Sequence, residues 1–209
     1  MRVKLKLNYK INVACVILAA GLSKRFGGPK QLAKLEENGT SLVQNALDTA
    51  NASSSDYVIL VLGQAASEVA AETALGRASL VYNLDFAMGL SSSVKCGLSN
   101  VPADSDAVLF MVADQPYLTS GILDDVMRIY RSNRSKIVAL SSPSGEPRNP
   151  VLFDRRMFTE LGQLSGDKGA REIVLNHIKE VKFLRSNDPR VLLDIDTKEA
   201  LEAARRKKM

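Results

Sequence analysis

Three glycines, Gly21, Gly27 and Gly28, and three cations, Lys24, Arg25 and Lys30, share one short stretch of the chain. Glycine lets the backbone turn sharply and bring bare N–H groups up to a ligand. Cations beside such a turn suit a polyphosphate. The stretch follows an apolar run, Val13 to Ala20, of the kind a buried parallel strand makes. Open α/β sheets bind their ligands at the carboxyl ends of such strands. Two familiar phosphate loops do not fit. No glycine here leads into Lys-Ser or Lys-Thr, and Ser23 stands where a G-x-G-x-x-G loop needs its second glycine. On residue types alone, a nucleotide-phosphate loop competes with an ordinary strand-to-helix connection carrying solvated cations.

A second apolar run, Val108 to Ala113, ends in Asp114-Gln115-Pro116. An acid at such a strand end faces the ligand crevice. Magnesium takes one or two carboxylates together with phosphate oxygens, so Asp114 is a candidate ligand. The competing reading is a turn aspartate, or a cap for the helix that follows Thr119. Near the end of the chain, Asp194 and Asp196 stand two apart. They share a face if a strand over Val191 to Ile195 continues through them. Asp196 or Thr197 also suits the N-cap of a terminal helix, and spacing does not choose. Gly89-Leu90-Ser91-Ser92-Ser93 opens a helix with free N–H groups and three hydroxyls. That fits a ribose, a base or a phosphate, and equally a plain cap. Gly166 to Arg171, with Asp167 and Lys168, is a similar loop-to-helix turn. His177, the sole histidine, lies among apolar neighbours and reads as structural. There is no His/Cys cluster for zinc or iron.

The chain has 209 residues, 45% of them hydrophobic and 24% charged, enough for one substantial core and a single soluble domain spanning 1–209. The net charge is +5, but four cations fall within the first twelve residues and four within the last five, leaving the body at −3. Such a body, with no Trp, is a poor nucleic-acid surface. Basic residues ahead of Ile11 to Ala20 imitate a secretory leader, yet cleavage there would remove the first strand and part of the loop. A cytoplasmic protein is therefore expected, with no membrane partner, since no apolar run is long enough to span a bilayer. Cys15 and Cys96 lack C-x-x-C spacing and read as thiols in a reducing compartment, although a single disulfide stays open.

Elements must place these groups. Apolar patterning predicts strands at 13–20, 57–62, 78–82, 107–113, 136–141, 149–153, 180–184 and 190–195. It predicts helices at 41–51, 66–75, 91–99, 120–132, 155–163, 168–177 and 197–207. This alternation implies a mostly parallel sheet covered on both faces. Pro143 to Pro150 breaks it and reads as the turn of a hairpin, near 141–153, inserted over the site.

Leu18, Ala19, Ala20, Gly21, Ser23, Arg25, Phe26, Gly27 and Lys30 match the nucleotidyltransferase signature L-A-[AG]-G-x-S-x-R-[MF]-G-x-x-K. With Gly89 to Leu98, Val112 to Pro116 and Asn149 to Arg171, the chain resembles the molybdopterin nucleotidyltransferase-like family from Val13 to about Leu201. Asp194 to Glu199 echoes that family's D-[IV]-D-T-P-E ending, with Lys198 in place of the proline. Ala19-Ala20 before Gly21 is similar to the molybdenum cofactor cytidylyltransferase branch; Asn149 departs from the histidine frequent there. The resemblance implies a three-layer, Rossmann-like α/β nucleotide-binding fold with a mostly parallel, mixed sheet. It implies CTP and a pterin-type molybdenum cofactor as substrates, Mg2+ as cofactor, and a molybdoenzyme or its maturation chaperone as recipient. Gly21, Ser23 and Arg25 would hold the triphosphate and Lys30 the α-phosphate, with Leu18, Ala19 and Ala20 also binding the nucleotide. Asp114 and Asp196 would hold the metal, with Arg25, Lys30 and Asp114 as the catalytic set. Gly63 and Ser91 to Ser93 would meet base and ribose, and Asn149, Asp167 and Lys168 the pterin.

Overall fold

The computed structural model describes residues 10–36, 39–167 and 169–206. Lys168 and the basic residues before Lys10 and after Arg206 lie outside them. Seven strands make one sheet: β1 (Val13–Ala19), β2 (Tyr57–Leu62), β3 (Ser79–Tyr82), β4 (Ala107–Val112), β5 (Ile137–Ser141), β6 (Pro147–Asp154) and β7 (Val181–Arg185). Their spatial order is β3-β2-β1-β4-β6-β5-β7. All neighbours run parallel except around β6, which is antiparallel to both β4 and β5. The sheet is thus mixed and mostly parallel. The Pro/Gly-rich stretch forms the turn between β5 and β6, closed by the Ser142 N–H donating to the Glu146 carbonyl at 2.9 Å, and both arms are strands of this sheet.

The strands are apolar on both faces because both faces are covered. Along β1, Cys15 and Ile17 join Leu47, Leu60, Leu109, Met127 and Tyr130, beneath α1 (Leu42–Asn51), α2 (Ala66–Ala71) and α4 (Ser120–Asn133). Val16 turns to the other face with Val61, Phe110 and Phe153, beneath α3 (Leu90–Ser99), α5 (Phe158–Gly162) and α6 (Arg171–Asn176). A smaller cluster lies apart from both. In it Phe26 of the glycine-rich loop packs on Leu42, Ile195, and Leu201 and Ala204 of α7 (Lys198–Arg206). Among the described residues no helix is long and apolar enough to cross a membrane.

Several predicted elements are shorter or broken. The helix expected at 66–75 stops at Ala71, and Thr73 turns its hydroxyl back to the Val69 carbonyl. Residues 155–163 begin as a 3-10 turn, capped by the Asp154 carboxylate, before α5 starts. The strand expected at 190–195 does not form. Pro189 has no N–H to give a ladder, Asp188 caps a 3-10 turn at Pro189–Leu192, and Leu193 to Thr197 follow without regular structure. Asp194 and Asp196 therefore do not share a strand face. The N-cap of α7 is Thr197, whose hydroxyl accepts from the Ala200 N–H at 3.1 Å, and Asp196 is left free for other work.

Candidate active site at the carboxyl ends of β1 and β4

Strand order reverses between β1 and β4: the chain leaves β1 toward β2 and later returns to β4 on the other side. A crevice opens at such a switch point. Here it is a cleft of about 460 Å3, lined by Leu18 to Arg25, Lys30, Gln31, Gly89, Leu90, Ser93, Asp114, Asp167 and Asp196 among others. That size suits a small-molecule ligand.

The loop over the cleft is held from both sides. Ser23 adopts a left-handed backbone (φ 49°), and its carbonyl accepts from the Phe26 and Gly27 N–H groups at 2.9 and 3.1 Å. Below it, the buried Gln31 amide donates to the carbonyls of Ala19 at 2.8 Å and Gly21 at 3.2 Å. Its oxygen accepts from the Ser23 hydroxyl at 3.4 Å. Gln31 therefore staples the loop to the end of β1, while Phe26 anchors its far side on α7.

Lys30 follows the loop and reaches back across it. Its ammonium donates to Asp114 at 2.6 Å and to Asp196 at 3.0 Å. Arg25 donates to the second oxygen of Asp196 at 2.9 Å. Burial alone would lower the Lys30 ammonium, but Asp114 and Asp196 outweigh it and hold the group above the ordinary lysine value. Burial likewise pushes Asp196 up, and its bonds to Lys30 and Arg25 bring it below the usual carboxylate range. The Ile195 N–H donates to the Asp114 carbonyl at 2.9 Å, which fixes the terminal segment beside β4. Asp114 is not a helix cap, since Thr119 caps α4 through the Ile122 N–H. Asp194 instead turns away and accepts from the Gln115 amide at 2.9 Å. Burial and the neighbouring Asp114 charge hold its carboxyl above the ordinary value.

The remaining sequence candidates fall into two groups. Ser93, with Gly89 and Leu90, lines the cleft. Ser91 and Ser92 are buried and do not line it. The Asn83 amide donates to Ser92 and Ser93 at 2.9 and 3.1 Å and sets their hydroxyls in place. Gly63 packs under the loop: a Cβ there would stand 2.6 Å from the Ala20 carbonyl. Asp167 presses on the positive-φ Gly89, and its carboxylate leaves no room there for a Cβ. Asn149 lines a neighbouring cavity rather than the cleft. His177 sits between Glu160 and Glu180 at 2.9 and 3.3 Å, away from the cleft, as a structural tether. Gln31 and Asn83 escaped the sequence reading. Only the position of Gln31 directly after Lys30 of the signature marked it out.

The site fits a divalent cation of the magnesium type. Asp114 Oδ1 is buried and accepts no hydrogen bond among the described residues, which leaves one carboxylate oxygen for a cation. No group of three or more His, Cys, Asp or Glu gathers among the described residues. A donor set of one or two carboxylates completed by phosphate oxygens is what magnesium takes.

A switch-point crevice, a stapled loop with two cations and a pair of facing carboxylates define an α/β nucleotidyltransferase. The chain belongs to the MobA-like NTP transferase domain family, whose model matches residues 15–181. It is 31% identical over 196 residues to nicotine blue oxidoreductase of Paenarthrobacter nicotinovorans, covering 90% of this chain and 94% of that protein. It is 30% identical over 190 residues to molybdenum cofactor cytidylyltransferase of Escherichia coli K12, covering 88% and 91%. The crystal structure of Rv0371c from Mycobacterium tuberculosis H37Rv superposes with a TM-score of 0.81 at 29% identity, covering 95% of this chain and 99% of that one. A manganese complex of Rv0371c superposes at 0.77 with 27% identity, covering 95% and 100%.

Proposed function

We propose that the protein transfers CMP from CTP to the phosphate of a molybdenum-bound pterin cofactor and releases pyrophosphate. The observation that carries the transfer is Lys30, held between Asp114 and Asp196 at the floor of the cleft. The Escherichia coli cytidylyltransferase relative and Ala19-Ala20 ahead of Gly21 support CTP and the pterin acceptor. The acceptor phosphate, its second pKa near 6, is already mostly ionised at neutral pH. No general base is required, and His177 stands away from the cleft. An acceptor oxygen attacks the α-phosphorus, and the bond to the bridging oxygen of pyrophosphate breaks. The loop, with Ser23 and Arg25, orients the triphosphate. Lys30 offsets the charge that gathers on the α-phosphoryl oxygens, so catalysis is positioning and charge stabilisation. Asp114 and Asp196 would hold Mg2+, which would neutralise the triphosphate; the unpartnered Asp114 Oδ1 supports that reading.

Nucleotide choice is tested by equilibrium binding of each of the four nucleoside triphosphates with magnesium. Incubation with reduced and metal-loaded pterin, read by mass spectrometry, then tests the transfer. CTP should bind most tightly and the cytidylyl product should appear. Equal or tighter GTP binding removes the cytidylyl assignment. Product from another phosphorylated acceptor moves the reading to that substrate, and binding without turnover makes the protein a nucleotide-responsive binder. A second reading, an oxidoreductase, rests on the 31% identity to nicotine blue oxidoreductase. The absent dinucleotide fingerprint weighs against it.

A further inference from the structure

β4 and β6 part beyond the Phe110–Val151 pair. Between β6 and β5 the register also shifts, from Ala139–Val151 to Leu140–Arg148, and Asn149 and Pro150 are left without ladder partners. A bulge of this kind bends a strand and re-aims its side chains. In the splay lies a second cavity of about 230 Å3, walled by Leu18, Leu90, Phe110, Val112 and Val151. Leu18, Leu90 and Val112 also line the nucleotide cleft, so the two spaces adjoin. The second is smaller than pockets that take a whole ligand, which run from about 300 Å3 upward, and suits one end of a molecule whose other end reaches the cleft.

Two polar atoms of residues lining this cavity have no hydrogen-bond partner among the described residues: Gln115 Oε1 and Arg148 Nε. Gln115 is 4% exposed. Its orientation follows from chemistry. The Asp194 carboxylate, when ionised, only accepts, so the Gln115 NH2 faces it at 2.9 Å and the amide oxygen is left over. A buried acceptor and a buried donor without partners are costly, and native proteins keep few of them. Asp194, Arg148 and Arg171 all line the cavity, so charges of both signs border it.

We propose that Gln115 and Arg148 are the residues that read the acceptor in the transfer reaction. Gln115 Oε1 accepts from an N–H of the acceptor, and Arg148 Nε donates to a carbonyl or ring nitrogen on the same edge. The cavity thus selects a ring system whose edge carries both a donor and an acceptor. This rests on the nucleotidyltransferase reading, because Gln115 directly follows Asp114 and brings the ring end beside the reacting phosphate.

The probe is unsubstituted pterin (2-amino-4-oxopteridine), titrated into the full-length protein and followed by quenching of its fluorescence. CTP binding is titrated separately in the same samples. Saturable quenching is expected, weakened tenfold or more in both Gln115→Leu and Arg148→Met, with the CTP constant unchanged within about twofold in each. Arg148→Met keeps the test decisive should Gln115→Leu fail to fold, and the CTP constant reports folding. Three results overturn the inference: no quenching by the wild-type protein, quenching unaffected by both substitutions, or displacement of pterin by millimolar inorganic phosphate. Loss of CTP binding in the wild type would instead remove the nucleotide reading while pterin binding still reports on the cavity.

Discussion

Lys30 pairs with Asp114 and Asp196 in the cleft, and Lys24 with neither, although the two stand in one short loop. Lys24 is exposed at the rim. Lys30→Ala should therefore lower kcat about a hundredfold or more, the scale for losing one contact to charge that develops in the transition state. Lys24→Ala should change stability by less than about 0.5 kcal/mol and leave kcat nearly unchanged. Steady-state kinetics with thermal melts as folding controls decide it, and comparable losses in both would make the loop a diffuse basic patch. The signature spacing marked out Arg25 and Lys30, whereas Asp114 and Asp196 each kept a competing cap or turn reading in the sequence and were tied to the loop only by the family resemblance; the structure brings all four side chains together. Gln31 and Asn83 were not legible. An amide that braces a backbone has no sequence pattern of its own, and its role exists only once distant carbonyls or hydroxyls converge on it.

Elements carried by strong apolar patterning, β1, β2, β4 and α4, were readable nearly to their ends, since burial on one or both faces leaves a periodic trace. The terminal stretch before α7 was not. Val191, Leu192, Leu193 and Ile195 look like a strand, but Pro189 and the capping Asp188 impose a turn and a local bond outcompetes a ladder. The close fit of α3 on the sheet was equally hidden. At Gly97 a Cβ would lie 2.5 Å from Val16 Cγ1, a stiff branched side chain in the middle of β1. Gly97→Ala should cost roughly 1–3 kcal/mol by overpacking, despite alanine's better helix propensity. Urea melts check this, and a stabilised variant would mean that α3 can lift without penalty. At the α5–α6 junction, the hydrogen bond to Glu160, then that to Glu180, raises His177 above its ordinary 6.5. Its contribution is whole below that value and fades as pH rises through the raised one. Glu180, lowered first by Lys136 and then by His177, contributes above its ordinary 4.5 and loses that share as pH falls through its depressed value. The tether is therefore strongest between about pH 4.5 and 6.5. His177→Gln should destabilise most near pH 6, by less than about 1 kcal/mol because the pair is partly exposed and screened, and negligibly at pH 9. A difference that grows toward pH 9 would reverse the assigned sign.

At the scale of the whole molecule, the cleft is assembled from the two ends of the chain. The loop belongs to the first strand connection, yet Asp196 comes from the segment just before α7, and the small cluster of Phe26, Leu42, Ile195, Leu201 and Ala204 locks the two together. The amphipathic α7 thus positions an acid that it does not itself carry. Leu201 is 6% exposed and lies in that cluster, on the far side of Thr197 from Asp196. Leu201→Ala should loosen the cluster and cost about 2 kcal/mol, the low end for a buried leucine because this satellite core lies near the surface. The main sheet, with its separate cores above and below, should keep its far-ultraviolet signature. Freed of its backing, Asp196 shifts relative to Lys30, and misplacement of about 1 Å in a positioned group costs up to a hundredfold in rate. The expected outcome is a loss of kcat of tenfold or more at a temperature where the variant is fully folded by circular dichroism. Nucleotide affinity should fall less, because the Gln31 staple at the end of β1 does not pass through α7. A variant with full kcat would show that the Lys30–Asp196 contact forms without the terminal helix, and α7 would then be a lid on the fold rather than part of the catalytic frame.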